Sequence, residues 1–89
     1  MKVAELPQDD PTVMYRVRAI RLMRGLTPSE VAAAVDISRS SMSKLERGFI
    51  ESRRSAVRLA VYYGVPFRTL FQHVRLKTIR RYGMQRRLR

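Results

Sequence analysis

The chain has 89 residues, 45% of them hydrophobic and 29% charged, with a net charge of +12 and no cysteine. That composition excludes a disordered tract, a disulfide framework, a thiolate metal site and a thiol nucleophile, and it bounds the molecule to one small domain with a short arm or tail. No apolar run reaches bilayer-spanning length and "MKVAELPQDDP" lacks the apolar core of a signal peptide, so the expectation is a cytoplasmic protein that makes no use of a membrane.

In chain order, residues 1–11 hold Pro7, Pro11 and an Asp pair without apolar periodicity and read as a flexible arm. Thr12 is a candidate cap for a helix over about 13–24 that places Val13, Val17 and Ile20 on one face, with Gly25 as its stop. Thr27, Pro28 and Glu30 form a capping-box start for a second helix, whose inward residues are Val31, Ala32 and Val35. Asp36 tolerates the left-handed backbone of a tight turn, and Ser38 caps a third helix over about 39–47 with Met42 and Leu45 facing in. Its outer face is Arg39, Ser40, Ser43 and Lys44. Ser52 caps a fourth helix with apolar positions Ala56, Val57, Leu59, Ala60 and Tyr63, closed by Gly64. "VPFRTLF" reads as a short fifth helix, and residues 72–89 as a basic extension with helical potential to Tyr82.

Charge is distributed unevenly along this order. All seven acids lie in positions 1–51, where eight Lys or Arg nearly balance them; positions 52–89 carry eleven Lys or Arg and no acid. A second half with so little to pair with internally points to a polyanionic partner, nucleic acid ahead of an anionic membrane. Two short helices on a tight turn, the second with small polar and basic outward residues, have the form of a helix-turn-helix reader of double-stranded DNA. The run Ala32, Ala33, Ala34 is expected to let its two helices approach closely.

Arg21, "GLTPSEVA", "ISRSSMSKLERG", "LAVYYGV" and "LF" together resemble the Cro and phage-repressor (XRE) family of DNA-binding domains, over roughly residues 13–71. The resemblance implies an all-α, five-helix phage-repressor-like domain, here residues 12–71, with residues 38–47 in the major groove. It makes Arg39, Ser40 and Lys44 the base-contacting candidates, and their chemistry agrees: Arg and Lys donate to guanine, and Ser donates or accepts without a strong preference. Phosphate positioning falls to the helix starts at Thr27 and Ser52, to Arg53 and Arg54, and to Ser38, Ser41 and Ser43, for which plain solvent exposure is the competing reading. Arg21 and Glu46 match positions that form a partly buried ion pair in this family and are assigned a structural role.

The chain departs from the family pattern at four places. Pro28 stands where Gln is common, and Asp36 where the turn usually has Gly. Phe49 and Ile50 occupy a loop that is ordinarily polar; they either pack under the fourth helix, the favoured expectation, or form a patch for a partner. Beyond the family's core pattern, Arg75, Lys77, Arg80, Arg81, Arg86, Arg87 and Arg89 alternate with apolar residues. This tail suits a phosphate or minor-groove grip, a helix completing a dimer, or a membrane-surface helix.

With one His, no Cys and no clustered carboxylates, the sequence supplies no acid–base pair, metal shell or nucleophile, so neither enzyme activity nor a cofactor is expected. The expected function is a homodimeric transcriptional regulator, a repressor or autoregulator on a palindromic operator. The competing classes are a protein-interaction module of antitoxin or anti-activator type and a nonspecific nucleic-acid binder driven by the tail.

Overall fold

A computed structural model describes residues 10–76. Among these residues the order is strand β1 (Val13–Tyr15), helices α1 (Arg16–Met23), α2 (Pro28–Val35), α3 (Arg39–Glu46) and α4 (Arg53–Tyr63), a 3-10 helix (Phe67–Phe71), and strand β2 (His73–Arg75). The structure is thus mostly helical, but two features differ from the all-α, five-helix expectation. The fifth helical element is 3-10, and a two-stranded antiparallel sheet pairs Val13 with Arg75, Met14 with Val74 and Tyr15 with His73.

The sheet explains why the first helix starts three residues later than its apolar spacing suggests. Residues 13–15 pair with residues 73–75, Arg16 N–H donates to the Gln72 carbonyl (2.8 Å) and Leu76 N–H to that of Thr12 (2.9 Å). A β-branched or aromatic residue at each end of "VMY" suits such a strand, and Tyr15 then precedes α1 as an N-cap residue that makes no side-chain cap bond. Thr12 instead joins an Asp10 turn: the Asp10 carboxylate accepts from the Thr12 amide (2.8 Å) and hydroxyl (2.6 Å) and lies 3.4 Å from Arg75. Those two hydrogen bonds first, and Arg75 after them, hold the Asp10 carboxyl below its usual value.

The main core joins Val17, Val31, Ala32, Val35, Met42, Leu45, Ala56, Leu59, Ala60, Tyr63 and Leu70. Met14, Ala19 and Leu76 make a second, smaller cluster beneath the sheet. Helices of eight residues are unstable alone, so α1, α2 and α3 depend on this packing. Of the three consecutive alanines only Ala32 is buried; Ala33 and Ala34 turn to solvent, because steps of about 100° per residue carry them off the face that Val31, Ala32 and Val35 share. Val57 is likewise exposed, on the outer side of α4.

Tyr63 is buried with its ring packed in the core, yet its hydroxyl has no hydrogen-bond partner among the described residues. Burial, reinforced by the nearby Glu46 charge and opposed by Arg21 and Arg24, pushes the phenol well above its ordinary value near 10. The folded protein keeps this proton while the unfolded chain releases it above about pH 10, so stability falls as pH rises past that point. Tyr63→Phe removes an orphaned polar group and is expected to leave stability unchanged or raise it by about 1 kcal/mol, and to flatten the alkaline loss in urea titrations from pH 8 to 11. A loss of stability in that variant at neutral pH would show that the hydroxyl is satisfied in solution.

Candidate nucleic-acid interface

Helices α2 and α3 are joined by a turn centred on Asp36, which takes the left-handed conformation (φ 57°, ψ 53°). The turn is tied by Ile37 N–H donating to the Ala32 carbonyl (3.0 Å), and Ser38 then caps α3 by accepting from the Ser41 amide (2.9 Å). Met42 and Leu45 anchor the inner side of α3 in the core. The buried face of an otherwise polar helix thereby fixes the direction of its outer face.

A second anchor is ionic. Arg21 Nε donates to Glu46 Oε2 (2.6 Å) and Nη2 to Oε1 (3.0 Å), a bidentate pair whose side chains are 8% and 9% exposed, while Nη1 donates to the Leu26 carbonyl (2.9 Å). This arrangement satisfies both charges and joins α1 to the end of α3 and to the loop before α2. Its geometry orients the helices; the buried groups are not available to an external ligand.

On the outer face the candidate residues divide by what already holds them. Arg39 and Ser40 are exposed and have no hydrogen-bond or ion-pair partner among the described residues. Lys44 is different: its Nζ donates to Glu51 Oε2 at 2.7 Å, an exposed pair of the kind that contributes about 0–1 kcal/mol and opens readily. Ser38 and Ser41 share a hydroxyl hydrogen bond (3.0 Å) as well as the cap, whereas the Ser43 side chain is exposed. At α2 the box is closed: the Thr27 amide donates to Glu30 Oε1 (2.8 Å) and the Glu30 amide to the Thr27 hydroxyl (3.1 Å). Pro28 has no N–H to offer, so only the Ser29 amide stays open in that first turn. The Ser52 hydroxyl accepts from the Ser55 amide (3.3 Å), Arg53 lies over the Phe67 ring (5.0 Å), and Arg54 projects into solvent.

The loop after α3 departs from the expectation that its apolar residues pack beneath α4. Phe49 is 61% and Ile50 45% exposed, because Gly48 and the Phe49 N–H bond to the Lys44 carbonyl (2.8 Å) turn the chain outward. Arg47 lies over the Phe49 ring at 5.7 Å. Sequence reasoning missed Glu51, whose signal was available: it is the last acid in the chain, set seven residues after Lys44. Arg75 sits on β2 beside Asp10; Lys77, Arg80, Arg81, Arg86, Arg87 and Arg89 lie outside the described residues. So does any helix that reaches Tyr82.

A capped helix pair with a tight turn, the second helix presenting basic and hydroxyl side chains, defines a helix-turn-helix protein. A family model described as "Helix-turn-helix domain" matches residues 15–74, and the chain belongs to that family, within its XRE-like group. No curated protein and no solved structure matches the chain. Family membership makes DNA the partner that the domain suggests, and a DNA-binding regulator its class. Among the described residues no helix is long and apolar enough to cross a membrane.

Proposed function

We propose that this protein is a sequence-specific transcriptional regulator, a repressor or autoregulator without enzymatic activity, that binds a palindromic operator as a homodimer. The observation that carries the reading is the outer face of α3. Arg39, Ser40 and Ser43 are exposed on a helix whose opposite side is fixed by two core residues and a buried ion pair. A rigidly held row of donors is what base reading requires, since discrimination depends on donor position within a few tenths of an ångström. In this reading two such helices, about 34–36 Å apart, enter successive major grooves.

Arg39 ranks first because no partner among the described residues competes for its guanidinium, whereas Lys44 must first leave Glu51. Ser52, Arg53, Arg54 and the Ser29 amide supply phosphate contacts at the helix starts, and the basic residues beyond β2 add affinity without sequence preference. Occlusion of a promoter needs no surface beyond the DNA-reading one and is the mode of action proposed.

The test is binding to DNA from upstream of the protein's own gene against scrambled DNA, by fluorescence anisotropy over a range of salt concentrations. A preference of about a thousandfold at physiological salt supports the specific reader. Arg39→Ala is expected to lose about 1–3 kcal/mol on the preferred site and to relax selection at one base pair. Equal affinities for both DNAs, falling together with salt, would transfer the function to tail-driven nonspecific binding. The exposed Phe49 and Ile50 favour one other reading, a protein-interaction module, and a stoichiometric protein complex without DNA preference would establish it.

A further inference from the structure

Helix α4 carries more apolar surface than the core uses. Its inward residues Ala56, Leu59, Ala60 and Tyr63 are buried, but Val57 and Val61, four residues apart and so on one face, point outward. Val61 is 76% exposed, and Tyr62 beside it is exposed as well. Together with Ala34 of α2 these residues form one open groove of about 420 Å³ that also includes Asp36 and Arg58. A stripe of this kind on the outside of a helix destabilises nothing when covered and costs solubility when left in water.

We propose that a second copy of this chain covers the groove, with the α4 helices of the two protomers packed across a two-fold axis near Val61. The charges identify the occupant. The groove is edged by one acid, Asp36, and one base, Arg58, and among the described residues neither has an ion-pair or hydrogen-bond partner for its side chain. An isologous interface sets residue i of one protomer against residue j of the other and the reverse, so a patch with one charge of each sign around an apolar centre complements itself. In such a pairing Arg58 meets the partner's Asp36 twice while Val57, Val61 and Tyr62 exclude water between them. A basic or acidic partner of another kind would leave one of the two charges facing its like. A domain of this size buries a modest share of its surface alone and gains from such a contact. The assignment rests on the dimer in the function proposed above, and it adds which face forms it.

Sedimentation equilibrium of the full chain without DNA reads both questions separately. The wild type is expected to be a dimer at micromolar concentration, and Val61→Glu to weaken it roughly tenfold or more; the two melt at the same temperature once both are diluted well below the dimer constant, since the side chain is exposed in the single protomer. Arg58→Glu is expected to weaken the dimer in the same way. Asp36→Asn, which keeps a residue suited to the left-handed turn, is expected to recover most of that loss when combined with it. Coupling between positions 36 and 58 in the dimer constant, and not in the melting temperature of the dissociated protomer, supports contact across the interface. A wild type that is monomeric throughout overturns the dimer and the face together. A wild-type dimer that Val61→Glu leaves intact, or that Phe49→Glu disrupts in its place, overturns the face alone.

Discussion

Glu46→Ala is expected to destabilise the fold by about 3–5 kcal/mol, enough to unfold a domain of this size at physiological temperature. The loss comes less from the missing attraction than from what stays behind. Arg21 would retain its bond to the Leu26 carbonyl but would hold Nε and Nη2 in an apolar setting with no acceptor, where the pair side chains are 8% and 9% exposed. Replacing both partners by apolar residues of similar volume, as in Arg21→Met with Glu46→Met, should recover most of the stability, because no buried charge then remains. Urea denaturation of the single variant Glu46→Ala and of the double variant measures this directly. If the single variant lost less than about 1 kcal/mol, the pair would be behaving as a surface pair, and its role in fixing α3 would fall.

The local signals of helix ends were legible residue by residue. Thr27 with Glu30, Ser38, Ser52 and Gly64 each act where their chemistry places them, because caps depend on neighbours three or four positions away. What the sequence hid is non-local. The strand character of residues 13–15 depends on pairing with 73–75, and a three-residue run whose apolar spacing continues into α1 looks like the first turn of that helix. The exposure of Phe49 and Ile50 was hidden for a related reason: their direction is set by a glycine turn and not by their hydrophobicity. At the interface, residue types named the face of α3 but not which side chains are already engaged. The bidentate guanidinium already ranks Arg39 ahead of Lys44 by residue type, and the position of Glu51, which engages Lys44, adds a second reason that the letters do not show.

Gly48→Ala is expected to cost about 2–4 kcal/mol, of which about 1–2 is backbone and the rest is crowding. Gly48 sits at φ +90°, a region that L side chains rarely adopt. An added Cβ would stand 2.6 Å from Cε2 of Tyr15 and 2.9 Å from its Cζ and hydroxyl oxygen. The ring cannot swing aside freely, since it stacks on His73 at 4.3 Å and meets Phe71 edge-on at 6.0 Å. Either β1 shifts, disturbing the sheet, or the loop moves and takes Glu51 and the end of α3 with it. The two contributions separate with a second substitution: Gly48→Ala on a Tyr15→Leu background should show only the backbone part of the penalty, read as the difference between the variants sharing Leu at position 15. Equal penalties on both backgrounds would mean that the Tyr15 ring does not constrain the turn. In that case the link between the sheet and the Lys44–Glu51 loop, by which strand β2 steadies the end of α3, would not exist.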